Sequence, residues 1–162
     1  MTRTFRGKCC RLVILTLTIA ICAACVPCDT FAGIVIGQGI AGIRLGESYH
    51  QTTRRLGKPA SVVPPDLFYG APLDGHVGFG FKQRVNDIET SSTAQRTSRH
   101  VGPGASAQSV LRAYPRLKCY RNTPNWSMIC LVISRYNHRP VETDFLFRAQ
   151  ALREVDIFIR GA

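Results

Sequence analysis

The feature that most constrains this 162-residue chain is an internal echo at an offset of about 58 residues. Gly42-Ile43-Arg44-Leu45-Gly46-Glu47-Ser48 is answered by His100-Val101-Gly102-Pro103-Gly104-Ala105-Ser106, and the residues after each Ser share a helical spacing. Repetition at this period means one supersecondary unit used twice, with neither copy able to bury its apolar side alone. Ser48 is an expected N-cap, and Gln51, three residues on, completes a capping box. Tyr49, Thr52, Thr53 and Leu56 then form one stripe, Gly57 supplies the stop and Pro59 prevents continuation. In the second copy Ser106 caps, Ala107, Val110, Leu111 and Tyr114 make the stripe, and Pro115 ends it. Helices of about two turns do not stand alone, so both must lie on a sheet.

Period-two alternation supplies the strands. Leu67–Tyr69, Val77–Lys82, Val85–Thr90, Trp126–Ile133, Thr143–Arg148 and Arg153–Arg160 all read as strands joined by short turns. Phe79 and Phe81 share a face in the first copy, as do Phe145 and Phe147 in the second. The expected fold is α+β: two helix-plus-antiparallel-strand repeats, about 40–90 and 100–160, forming one mostly antiparallel sheet with short helices on one face. Residues 91–99, rich in Ser, Thr, Gln and Arg, read as a polar linker. Trp126, in an apolar neighbourhood, is expected in the core.

Residues 1–32 carry an export pattern. Arg3, Arg6, Lys8 and Arg11 precede an apolar run, Leu12–Ala24, and small residues follow. That run falls short of the roughly 20 residues of a membrane span. Thr30-Phe31-Ala32 would let the mature chain begin at Gly33. Cys22-Ala23-Ala24-Cys25 offers the alternative of a lipoprotein beginning at Cys25, with Cys22 where an aliphatic residue is usual. Membrane association is expected only with that lipid.

Five of seven cysteines precede Gly33, which leaves Cys119 and Cys130 as an even pair. In an exported chain such a pair is expected as a disulfide pinning a hairpin. With no neighbouring His, the two do not make a zinc site.

From Gly33 onward 17 Lys and Arg face 9 Asp and Glu. This balance favours an anionic partner: an acidic protein, a wall polymer, lipid head groups or nucleic acid. Export argues against nucleic acid. Arg54, Arg55 and Lys58 after the first helix match Arg112, Arg116 and Lys118 after the second. They read either as a paired basic rim or as cations beside helix C-termini.

No catalytic, cofactor or metal constellation emerges. Gly37-Gln38-Gly39-Ile40-Ala41-Gly42 matches the dinucleotide fingerprint, but the long helix it requires is absent, so a flexible glycine-rich lead-in is expected. His50, His76, His100 and His138 are scattered and read as surface residues. Nothing brings two of Asp66, Asp74 and Asp87 together as the acid pair of a glycosidase.

If the phenylalanines face the helices, parity places Lys82, Leu146, Arg148, Asp156, Phe158 and Arg160 on the other side of the sheet. Apolar and Arg side chains amid charge are the usual anchors of an interface.

Ile43-x-Leu45-Gly46-x-Ser48, Leu56-Gly57-x-Pro59, Val101-x-x-Gly104-x-Ser106, Ala113-Tyr114-Pro115 and Leu152–Ile157 carry a resemblance. The chain resembles exported tandem-repeat proteins of the β-lactamase-inhibitor-protein-like class and small outer-membrane assembly lipoproteins of the SmpA/OmlA type. The resemblance implies a non-enzymatic protein-binding module, inhibitor-like or assembly-factor-like, without cofactor. It carries over no inhibitory residue. The alternative is a basic binder of anionic cell-wall polymer or membrane surface.

Overall fold

The computed structural model describes residues 33–121 and 123–161, so the expected export segment, with Cys25, lies outside the described residues. A two-stranded hairpin, β1 (Gly39–Ile40) and β2 (Ile43–Arg44), precedes α1 (Tyr49–Leu56). Four strands follow: β3 (Ser61–Val63), β4 (Asp66–Tyr69), β5 (Gly75–Phe79) and β6 (Val85–Thr90). Then come α2 (Ala107–Ala113), β7 (Lys118–Arg121), β8 (Met128–Tyr136), β9 (Arg139–Arg148) and β10 (Ala151–Ile159). The sheet order is β3-β4-β5-β6-β10-β9-β8-β7, with every pair antiparallel. Two meanders thus join along β6 and β10, and the fold is a mostly antiparallel sheet with two short helices.

Both helices start as their caps dictate. The Ser48 hydroxyl accepts from the Gln51 amide (3.3 Å), while the Gln51 side-chain oxygen accepts from the Ser48 amide (2.8 Å). Gly57 ends α1 at φ +80°, a conformation that favours glycine. Ser106 caps α2 by accepting from the Ser109 amide (3.2 Å). The chain before each helix is pinned to a strand start: Val85 N–H donates to Glu47 O (2.9 Å), and Leu152 N–H donates to Ala105 O (2.8 Å).

One face of the sheet is covered. Leu67, Val77, Ile88, Ile157, Phe145 and Phe147 point into a core closed by Thr52 of α1 and by Ala107 and Val110 of α2. Tyr49 lies against Phe79 and Tyr114 against Phe145, each at 5.6 Å between ring centroids. These tilted pairs tie each helix to the strand beneath it.

The structure corrects three local expectations. The glycine-rich lead-in is ordered: Ile40, Ala41, Ile43 and Leu45 are fully buried, and Gly37 N–H donates to the Thr143 hydroxyl on β9 (3.0 Å). Residues 91–99 lead from β6 toward α2, and within them Ser92, Gln95 and Thr97 are buried and hydrogen-bonded. Gln95 donates to Pro72 O (2.9 Å), and Thr97 N–H donates to Val101 O (2.7 Å). The strand expected to reach Lys82 ends at Phe79. Lys82 (φ 59°) and Gln83 (φ 51°) turn left-handed, which breaks the alternation and leaves Phe81 87% exposed. Trp126 lies outside β8, half-buried in the preceding turn, where the Arg148 guanidinium stacks on its ring at 4.9 Å.

Cys119 and Cys130 face each other across β7 and β8 and are joined as a disulfide (S–S 2.08 Å). The bridge closes a short loop at one edge of the sheet. Replacing both by Ser is expected to lower unfolding free energy by about 2–3 kcal/mol, measured by urea denaturation. An unchanged midpoint would contradict a stabilising bridge.

Candidate functional site

The face opposite the helices is open and carries most of the acid in this basic chain. Alternation sends Ile88 and Thr90 of β6 inward and therefore Asp87 and Glu89 outward. On β9 and β10 the same parity turns Glu142, Asp144, Glu154 and Asp156 to this face, while β4 contributes Asp66. Seven of the nine carboxylates after Gly33 thus share one face.

Register decides which of them meet. Glu89 lies opposite Asp156 across β6–β10, and Asp156 lies opposite Asp144 across β10–β9. Phe158 is opposite Asp87 on one side and Glu142 on the other. Asp66 and Asp87 flank Gly78 from either side. Leu131 and Ile133 of β8 continue these rows beyond Asp144 and Glu142.

Such crowding forces protons onto some members. Burial pushes the Asp156 carboxyl up to about 10, helped by its hydrogen bond with Asp87 and by the charges of Asp87, Glu89 and Asp144. Burial also raises Asp144 to about 7, with Glu142 adding repulsion and a hydrogen bond. Glu154 is raised by burial and by Glu89. Asp87 goes the other way: burial would raise it, but hydrogen bonds from His76 and Asp156 hold it below the usual carboxylate range. His76 is raised to about 10 by its bonds to Asp87 and Glu89. Its Nε2 lies 3.0 Å from Asp87 and its Nδ1 3.7 Å from Glu89. Both ring nitrogens are therefore taken by carboxylates, so His76 is a fixed cation at neutral pH and not an available base.

Five of the six residues expected on this face are there. Asp156 and Phe158 stand at its centre. Leu146 is buried between Ile129 and Glu154. Arg148 ends β9 on the Trp126 ring, and Arg160 follows β10, with its Nε 3.2 Å from Glu142. Lys82 is not on the face: the left-handed turn carries it off the sheet, with its ammonium 5.5 Å from the Phe81 ring centroid. His76 corrects the expectation of four surface histidines. Asp66 and Asp87 lie two strands apart with Gly78 of β5 between them, and Asp74 stands in the β4–β5 turn. The missed residues carried a usable signal, since Asp87 and Glu89 alternate with Ile88 and Thr90. What parity alone does not supply is that β6 lies beside β10.

The face also exposes apolar surface: Phe68 is 37%, Ile133 49% and Tyr120 55% exposed. Lys118, Arg135, Arg148 and Arg160 stand at its margins. The other expected basic residues, Arg54, Arg55, Lys58, Arg112 and Arg116, are exposed near the ends of the two helices. Among the described residues no cluster of His, Cys, Asp or Glu takes a metal-holding arrangement, and no helix is long and apolar enough to cross a membrane.

No family model matches the chain, and no curated protein matches it. Among solved structures it is similar to an extracellular protein containing a SCP domain from Bacillus anthracis str. Ames, with a TM-score of 0.48 and 10% identity. The likeness covers 70% of this chain and 43% of that one, so this chain spans less than half the length of the protein it matches.

Proposed function

We propose that the protein is an exported, non-enzymatic module of two helix-plus-strand repeats that binds another protein across its open sheet face. It acts in the manner of an extracellular enzyme inhibitor or an envelope assembly factor. The observation that carries this reading is the contrast between the two faces. One is sealed by both helices; the other leaves Phe68, Phe158, Ile133 and Tyr120 among charged groups on a continuous sheet. Apolar anchors with a polar surround are how protein interfaces are built. The duplicate reading is supported by matched details: Ser48 bridges Arg84 beside β6, Ser106 bridges Ala151 of β10, and each helix sets a Tyr on a sheet Phe. Export is supported by the charged-then-apolar start and the disulfide.

A partner recovered from the organism's own exported fraction tests the reading. Phe158→Ala is expected to weaken its binding tenfold or more, roughly the loss at a central anchor, while far-ultraviolet circular dichroism stays unchanged. Undiminished affinity would place the interface elsewhere.

The alternative, a binder of anionic wall polymer, is supported by the exposed cations at the helix ends, away from the acidic face. That mode would be lost steeply as salt rises and would tolerate Phe158→Ala.

A further inference from the structure

The two repeats meet at the end of the sheet where β6 begins and β10 finishes, and a cleft of about 240 Å³ opens there. The first repeat supplies Gly46, Phe81, Arg84 and Asn86; the second supplies Tyr136 and Arg139. Buried Val85 and Ile159 form its apolar base. Local backbone features shape each wall. Asn86 is the extra residue of a bulge in β6, since Val85 lies opposite Phe79 and Asp87 opposite Gly78. Bulges commonly re-aim a side chain beside a site. Gly80 makes room for this one, because a Cβ there would stand 2.7 Å from Asn86 Nδ2. Tyr136 and Arg139 are cross-strand partners that close the two-residue β8–β9 turn, in which Asn137 (φ 48°) and His138 (φ 64°) are both left-handed. The Tyr136 ring lies against Gly46, 3.5 Å from where a Cβ would be.

The cleft gathers cations that have no acid to meet. Arg84 Nη1 donates to Gly46 O at 3.4 Å, which leaves most of its guanidinium donors unused. The nearest carboxylates along the chain, Glu47 and Glu142, are held by Arg55 (3.5 Å) and Arg160 (3.2 Å). Among the described residues neither Arg84 nor Arg139 is in an ion pair. Lys82, carried off the sheet by its left-handed turn, adds a third cation beside Phe81. The Phe81 ring, almost wholly in solvent, contributes little to the core. We propose that this cleft seats an acidic side chain of a partner protein, its carboxylate held by Arg84 and Arg139 and its methylene stem laid along Phe81 and Tyr136. Guanidinium forks match carboxylate geometry, and the Asn86 amide offers a further donor. Size decides the occupant. The cleft is smaller than the roughly 300–1,000 Å³ of small-molecule sites, so it takes one side chain, whereas a repeating polymer needs a continuing groove. The inference rests on the protein-binding reading but uses none of the open-face anchors. It agrees in sign with the basic balance of the chain and sets the anion-accepting surface at the end of the sheet, apart from the acidic face.

Backbone amide NMR shifts at Arg84, Asn86, Tyr136 and Asn137 test this during titration with acetyl-Val-Glu-Val-amide and with its Gln counterpart. The Glu peptide is expected to move them saturably and to bind about tenfold more tightly than the Gln peptide. Replacing Arg84 and Arg139 together by Gln is expected to weaken the Glu peptide about tenfold or more. Phe81→Ala is expected to weaken it several-fold. All three residues are exposed, so the circular dichroism spectrum of each variant is expected to stay unchanged. Equal binding of the two peptides, or indifference to the paired Arg replacement, overturns the inference. Inorganic phosphate that gives the same shifts and displaces the Glu peptide at equal concentration would make the cleft a general anion site and overturn the side-chain occupant. Phe158→Ala separates the two readings, since it is expected to leave the cleft shifts intact. If the Glu peptide leaves the cleft unmoved, the inference falls, and the Phe158→Ala measurement on the recovered partner decides protein binding by itself. If that partner tolerates Phe158→Ala but is lost on the paired Arg replacement, the open-face reading falls and the cleft stands.

Discussion

Phe145→Ala is expected to destabilise the protein by about 3–5 kcal/mol, the range for deleting a fully buried aromatic ring. Phe145 has no exposed surface and sits on β9 between Cys130 of β8 and Val155 of β10. Its ring also takes the Tyr114 ring at the end of α2. Truncation removes the aromatic pair and leaves a cavity under the helix, and the cross-strand disulfide beside it restrains the collapse that would fill the space. Urea denaturation measures the loss. Phe81→Ala is the matched control: that ring is almost wholly in solvent, so a change of less than about 0.5 kcal/mol is expected. Equally small effects at the two sites would contradict the placement of Phe145 in the core.

The second large effect is on pH. Asp156, Asp144 and Glu154 are raised, so the folded protein holds their protons more tightly than the unfolded chain does. Stability from this source is greatest in mild acid and falls as pH climbs through neutrality toward about 10, where Asp156 ionises. His76 acts in the same direction: its stabilisation is complete below its ordinary value near 6.5 and is lost as pH passes about 10. Asp87 acts oppositely, since the stability gained from its ionised form disappears only when strong acid protonates it. Between about pH 5 and pH 9 the protein is therefore expected to lose on the order of 2–4 kcal/mol. Asp156→Asn keeps the shape and removes the titration. It is expected to flatten the profile and raise the melting temperature at about pH 8. A wild-type melting temperature that rises steadily over this window would contradict the proton-holding face.

What could be read directly from the sequence was local. The Ser48 and Ser106 caps, the stops at Gly57 and Pro115 and the alternation of β6, β9 and β10 rest on neighbours within a few residues, and each is present in the structure. Misreadings fell where distant packing overrides composition. The polar run 91–99 does not reveal that Gln95 and Thr97 find carbonyl and amide partners, which only the folded chain supplies. The glycines before α1 look mobile, yet the aliphatic residues among and after them, Ile40, Ile43 and Leu45, close the core. β3 escaped notice because Ser61, Val62 and Val63 are all exposed and show no alternation. Phe81 mimics a strand residue until two left-handed residues remove it from the sheet. The acidic face was half visible: Asp156 and Phe158 were identified by parity, whereas His76, Asp87 and Glu89 acquire meaning only through the pairing of β6 with β10. That pairing joins residues about 70 positions apart, and no short-range rule encodes it.

Carboxyl carbon NMR titration of Asp156 asks directly whether β6 and β10 press acidic groups together on one open face. The expected result is a carboxyl that stays protonated through neutrality and moves back toward the ordinary aspartate range when Asp87 is replaced by Asn. Titration of wild-type Asp156 at an unperturbed aspartate value, near 4, would contradict it.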